Sequence, residues 1–136
     1  MAAHDKAAAF ASLQRAPFSA ALGLKIEASG EGSATVRMPF SEKLLNDGGI
    51  AAPIHGGAIA SLADFAACAA VWSMPETQRS ATISMTVNYT GPGVKSDLIA
   101  RAIVRRKGKR VASINVEIHD DHRNLVADAL VTYKIA

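Results

Sequence analysis

The stretch PIHGGAIASLADFAACAAVW, residues 53 to 72, has one charged side chain after its histidine, Asp64. The run is apolar on nearly every side, and a helix without a polar face is one that its own protein surrounds. Beyond it the period changes from helical to twofold. Ile83, Met85, Val87 and Tyr89 alternate with Thr82, Ser84, Thr86 and Asn88, the pattern of a half-buried strand. TGPGVKS then leads to Leu98, Ala100, Ala102 and Val104, and KGK leads to Ala112, Ile114, Val116 and Ile118. DDHRN leads to Leu125, Ala127, Ala129, Val131 and Tyr133. Four strands joined by polar turns predict an antiparallel meander.

On the other side of the run, Leu24, Ile26 and Ala28 face Ala34, Val36, Met38 and Phe40 across SGEGS, which reads as a hairpin. Residues 41–54 read as loop, with NDGG and Pro53 as breakers. Residues 5–15 predict a short amphipathic helix ending before Pro17, with Ala8, Phe10, Ala11 and Leu13 as its apolar positions. Alternation leaves one sheet face needing cover, and residues 56–72 are the element apolar enough to supply it. The expected fold is α+β, a curled antiparallel sheet wrapped around one long central helix.

The 136 residues suit a single domain over 1–136, with residues 1–16 as an N-terminal helical extension. At 49% hydrophobic and 20% charged the balance is globular rather than disordered. One cysteine, Cys68, excludes an internal disulfide framework and suits a reducing compartment. The N-terminus has no basic-then-apolar signal pattern, and the apolar run falls short of the roughly 20 residues of a membrane span. The expected location is the cytoplasm. A net charge of +3 and a pI near 9.2 permit an anionic partner without demanding nucleic acid.

Burying an unpaired carboxylate costs several kcal/mol, of order, unless it gains a partner, water or a proton. Asp64 therefore has either a structural partner, such as a buried arginine, or a task. Helical spacing puts Gly57, Ser61, Asp64 and Cys68 on one narrow stripe of small, slightly polar residues. Such a stripe admits a second copy of the helix, running antiparallel. Cys68 reads as a buried filler, since no neighbouring base activates it. HGG at the helix start leaves backbone N–H groups uncovered for a developing oxyanion, although two glycines also serve a tight turn into the helix. Gly57 and Asp64 of one chain lie about 10 Å apart along the helix, too far to act on one atom. Two helices packed about a twofold axis bring Gly57 of one protomer near Asp64 of the other.

IHGGAIASLAD, the strand SATISMTVNYTGPG and the segment KGKRVASINVEIHDDHRNLVADALVTYKIA together resemble hotdog-fold thioesterases of the PaaI type over residues 15–136. The resemblance implies hydrolysis of an acyl-coenzyme A thioester by a homodimer, often paired into a tetramer. It implies Asp64 as general base or nucleophile, Gly57 N–H as the group polarising the thioester carbonyl, and His55 as shaping the turn. Thr82 falls where the family has a Ser or Thr that holds the attacking water. Asn46 is the candidate for the family's loop Asn, in a loop longer than the usual one. No cofactor is implied beyond coenzyme A as part of the substrate.

The basic cluster Arg105, Arg106, Lys107, Lys109 and Arg110 reads either as a solvated hairpin tip or as a contact for coenzyme A phosphates. HDDH, 119–122, sits in a turn without further ligand-type residues and predicts no metal site. G-x-S-x-G, P-loop and dinucleotide-binding fingerprints are absent. Two other functions fit the same fold: an acyl-thioester hydratase or dehydratase, and a non-catalytic acyl-CoA binding protein.

Overall fold

The computed structural model describes residues 6–136. Residues 1–5, part of the expected N-terminal extension, lie outside the described residues. Helix α1 (Lys6–Arg15) turns Phe10 and Leu13 against the core. It stops where Pro17 forces Ala16 into an extended conformation, φ −53° and ψ 135°. The same proline then opens a second short helix, α2 (Pro17–Leu22), where the sequence pattern predicts none. Gly23 closes it in the left-handed region, φ 72°.

Strands β1 (Lys25–Gly30) and β2 (Ser33–Met38) form the expected hairpin. A single 3-10 turn, Glu42–Leu44, and a bridge between Leu45 and Ile54 order the following loop. The apolar run is α3 (Gly56–Trp72), followed by β3 (Ser80–Tyr89), β4 (Leu98–Lys107), β5 (Val111–His119) and β6 (Leu125–Ile135).

The six strands form one antiparallel sheet in the order β1-β2-β4-β5-β6-β3. This corrects the expected four-strand meander. Only β4, β5 and β6 follow one another; β3 pairs with β6, from Ser80↔Ile135 to Tyr89↔Ala127. TGPGVKS is therefore a crossover between an edge strand and β4, not a hairpin turn. Adjacency in sequence predicts adjacency in a sheet in only about two-thirds of cases, and β4 finds its partner in β2 instead.

Helix α3 touches all six strands. Its buried residues are Ile59, Leu62, Phe65 and Val71 together with six alanines. Alanine's small side chain lets the helix axis approach the curled sheet, whose inward face carries Val36, Met38, Leu98, Ile114, Val116, Ile118 and Val131. Leu62, with no exposed surface, is central to this packing. Leu62→Ala is expected to cost about 2–5 kcal/mol, transfer plus cavity, read as a lower urea midpoint.

Candidate active site

The residues of α3 that remain partly exposed are Gly56, Gly57, Ala60, Ser61, Asp64, Cys68 and Trp72. They include the whole stripe expected from helical spacing. The sheet and α1 pack against the rest of the helix, so this seam is where α3 can meet something else.

At its front, His55 is the N-cap, and its Nδ1 accepts a 2.8 Å hydrogen bond from Gly57 N–H. Nδ1 must then carry a lone pair, which places the imidazole proton on Nε2. His55→Ala is expected to cost about 1 kcal/mol by loss of this cap, measurable as a lower melting midpoint. The contact bears directly on the expected oxyanion donor: within the chain, Gly57 N–H is already donated to His55. Gly56 N–H has no hydrogen-bond partner among the described residues. The Gly56 carbonyl accepts from Tyr89 Oη at 2.8 Å, and a Cβ at Gly56 would lie 3.3 Å from the Tyr89 ring.

Asp64 has neutral partners. Its Oδ1 accepts from Thr82 Oγ1 at 2.7 Å and from Tyr133 Oη at 2.8 Å. Tyr133 Oη also lies 3.0 Å from the Asp64 carbonyl oxygen. No cation pairs with Asp64 among the described residues, so the buried-arginine alternative is not realised here. Oδ2 accepts no hydrogen bond from the described residues. A carboxylate held by one oxygen, with the other uncommitted on a partly open seam, has a lone pair to offer a water or a carbonyl carbon.

Thr82 reaches Asp64 because β3 breaks its own alternation. The β3–β6 register shifts between Thr82 and Ser84, a bulge with Ile83 as the extra residue. Thr82 opposes Tyr133, while Met85 opposes Val131 and Tyr89 opposes Ala127. Thr82 thus shares the helix-facing side with Met85, Val87 and Tyr89, although strict alternation assigns it to the other side. Ile83 is turned outward, 56% exposed.

The sequence pattern marks Tyr133 only as a core position of the last strand. The available signal was its hydroxyl: a tyrosine on a buried sheet face needs a polar partner, and α3 supplies Asp64. Two further contacts continue along the seam. Trp72 Nε1 donates to Ser80 Oγ at 2.8 Å, and Ser80 Oγ lies 3.9 Å from Cys68 Sγ. Burial pushes the Cys68 thiol above its ordinary range, which keeps it protonated and agrees with its reading as a filler.

The remaining expected residues are not joined to Asp64 within one chain. Asn46 is exposed, and its N–H donates to the Pro53 carbonyl at 3.0 Å, placing it beside the entry to α3. Arg105 is the extra residue of a bulge in β4, and Arg106, Lys109 and Arg110 are exposed around the β4–β5 turn. Lys107 Nζ pairs with Glu76 Oε1 at 3.0 Å, just beyond the C-terminal end of α3. In HDDH, Asp120 accepts from His122 N–H and Asn124 N–H at 2.8 and 2.9 Å. It is a turn-forming residue, and no metal-binding cluster occurs among the described residues. No helix among them is long and apolar enough to cross a membrane.

The comparisons with known proteins agree with this fold. The thioesterase superfamily model matches residues 53–127. The medium/long-chain acyl-CoA thioesterase YigI of Salmonella typhimurium is 31% identical over 134 residues, covering 88% of this chain and 85% of that protein. The acyl-coenzyme A thioesterase PaaI of Escherichia coli is 33% identical over 108 residues, 79% of this chain and 74% of that protein. The structure of the E. coli PaaI protein from the phenylacetic acid degradation operon superposes with a TM-score of 0.83 at 27% identity, covering 100% of this chain and 96% of the other. The chain belongs to the thioesterase superfamily, as a hotdog-fold member of the PaaI type.

Proposed function

We propose that the protein hydrolyses acyl-coenzyme A thioesters to the free acid and coenzyme A, in an active site assembled between two copies of the chain. The observation that carries this is Asp64 itself: a carboxylate on the uncovered seam of an otherwise buried helix, with no cation beside it and Oδ2 uncommitted among the described residues. Asp64 removes a proton from water, or attacks directly, while a helix-start amide holds the carbonyl oxygen as it gains charge. In this reading the donor is Gly56 N–H, because Gly57 N–H is occupied by His55.

Gly56 and Asp64 are eight residues apart, about 12 Å along the helix axis, so one chain does not place both on one carbonyl. The dimer is supported by two features. The seam is mostly small residues, and the ten-residue β3, paired with β6 on one side, leaves its other edge bare among the described residues, with its Ile83 exposed. A long bare edge is a template for a second chain. His55 sets the entry to α3, Thr82 holds Asp64 directly rather than through water, and Asn46 stands close enough to the helix start to meet substrate there. Arg105, Arg106, Lys109 and Arg110 are free to meet the phosphates of coenzyme A, and we place the protein in the cytoplasm.

The test is release of free thiol from a panel of short, medium, long and aromatic acyl-CoAs, with oligomeric state measured by light scattering. Turnover by a dimer or larger assembly is expected. Tight acyl-CoA binding without thiol release across the panel would replace this reading with that of a carrier.

A further inference from the structure

Two hydroxyls converge on one oxygen of Asp64, and they come from residues directly opposed across the β3–β6 pairing, Thr82 and Tyr133. We propose that Tyr133 is a positioning residue for thioester cleavage: with Thr82 it fixes Oδ1 of Asp64, so that Oδ2 alone is presented to the reacting atoms. This inference rests on the thioesterase reading above and adds a residue to it.

The geometry singles out Tyr133 in three ways. Its side chain is anchored, being 3% exposed and flanked by core residues of β6, so its hydroxyl cannot turn to solvent for a partner. Its two hydrogen bonds go to Asp64, to Oδ1 at 2.8 Å and to the carbonyl oxygen at 3.0 Å, with the Thr82 hydroxyl and the Cys68 thiol as its other polar neighbours. Lastly, rotation about χ2 of an aspartate is a soft motion. Two donors on Oδ1, from strands locked in register, remove that freedom and set the carboxylate plane.

The paired acceptors also suit a carboxylate whose charge changes during turnover. The hydroxyl has one hydrogen. It points to Oδ1 while Asp64 is ionised; when Oδ2 takes a proton from water, charge on Oδ1 falls and the carbonyl oxygen offers a second resting place. Burial, with Cys68 and Asp64 as neighbours, holds the phenol well above its usual range, so it remains a donor throughout.

Tyr133→Phe removes the hydroxyl and keeps the ring. With an acyl-CoA that the parent cleaves, kcat is expected to fall about 10- to 100-fold, the scale of a misplaced catalytic group. KM should stay within about twofold, since the ring and the binding surface are unchanged. Rates are normalised to the folded fraction from circular dichroism, so a purely structural role would lower the melting midpoint and leave kcat alone. Thr82→Val, at the exposed end of the clamp, is expected to act in the same direction. The double variant should lose less than the product of the two, because both hydroxyls serve one oxygen.

If Tyr133→Phe keeps the parent's kcat while Asp64→Asn is inert, the positioning role is overturned and the thioesterase reading stands. If Tyr133→Phe does not fold, a full rate in Thr82→Val overturns the clamp instead. If the parent itself cleaves no thioester, the underlying reading fails and this inference falls with it.

Discussion

Asp64→Asn is expected to reduce kcat by about 10²- to 10⁴-fold, the usual contribution of a positioned acid–base group, while the protein folds as before. The expectation of an intact fold follows from the contacts. An asparagine carbonyl oxygen can accept the same bonds from Thr82 Oγ1 and Tyr133 Oη that Oδ1 accepts now. The new amide group replaces Oδ2, which has no partner to lose among the described residues. No ion pair is broken, because Asp64 forms none among the described residues. Stability should therefore change by no more than about 1 kcal/mol, and the loss of rate can be assigned to the missing base. Free-thiol release and thermal melting, measured on the same preparation, check both halves. Full turnover by this variant would exclude Asp64 from the chemistry.

Gly56→Pro gives the second large effect and tests the other side of the site. Gly56 is the first residue of α3, the position at which proline is best tolerated in a helix. His55, before it, already has φ −58° and ψ 134°, a conformation that a following proline accepts. The substitution thus deletes one N–H and keeps the helix; the Tyr89 ring, 3.3 Å from the added Cβ, must yield by a few tenths of an ångström. Loss of one oxyanion donor typically lowers kcat by about 10²- to 10³-fold, and that is the expected result.

The two variants together test the shared site. In a dimer of one Asp64→Asn and one Gly56→Pro chain, one site has both defects and the other has neither. Random pairing of equal amounts should restore about a quarter of the parent's rate, since about half the dimers are mixed and each has one sound site. No recovery on mixing and re-annealing would place Asp64 and Gly56 in the same chain's site, or in no common site.

What the sequence disclosed follows the strength of each physical signal. The buried helix was legible because seventeen nearly uninterrupted apolar residues have few other uses, and the stripe on it follows from helical spacing alone. The inner faces of β2, β4, β5 and β6 were legible because alternation reports burial directly. Strand order was not: alternation says which side of a strand is dry and nothing about which strand lies beside it, so β3 pairs with β6 where sequence order alone suggests β4. Helix α2 escaped because Pro17 carries two opposite meanings, the end of one helix and the start of another. Tyr133 escaped because the pattern that marks a core position does not distinguish a ring that fills space from a hydroxyl that seeks a partner. The resemblance points to Gly57 as the donor, and nothing in the sequence reveals that the imidazole of His55 already accepts from the Gly57 N–H.

The extra residue at Ile83 has a consequence for how this site can change over time. It divides β3 into two lengths with opposite parity, one answering to the acid on the helix and the other to the hydrocarbon interior. Each length can therefore vary under its own constraint, because a swap suited to one leaves the facing of the other untouched. Losing or gaining a single residue at that joint does not respect the division: it exchanges inside for outside along a whole length at once, turning a partner of the acid into a surface ornament.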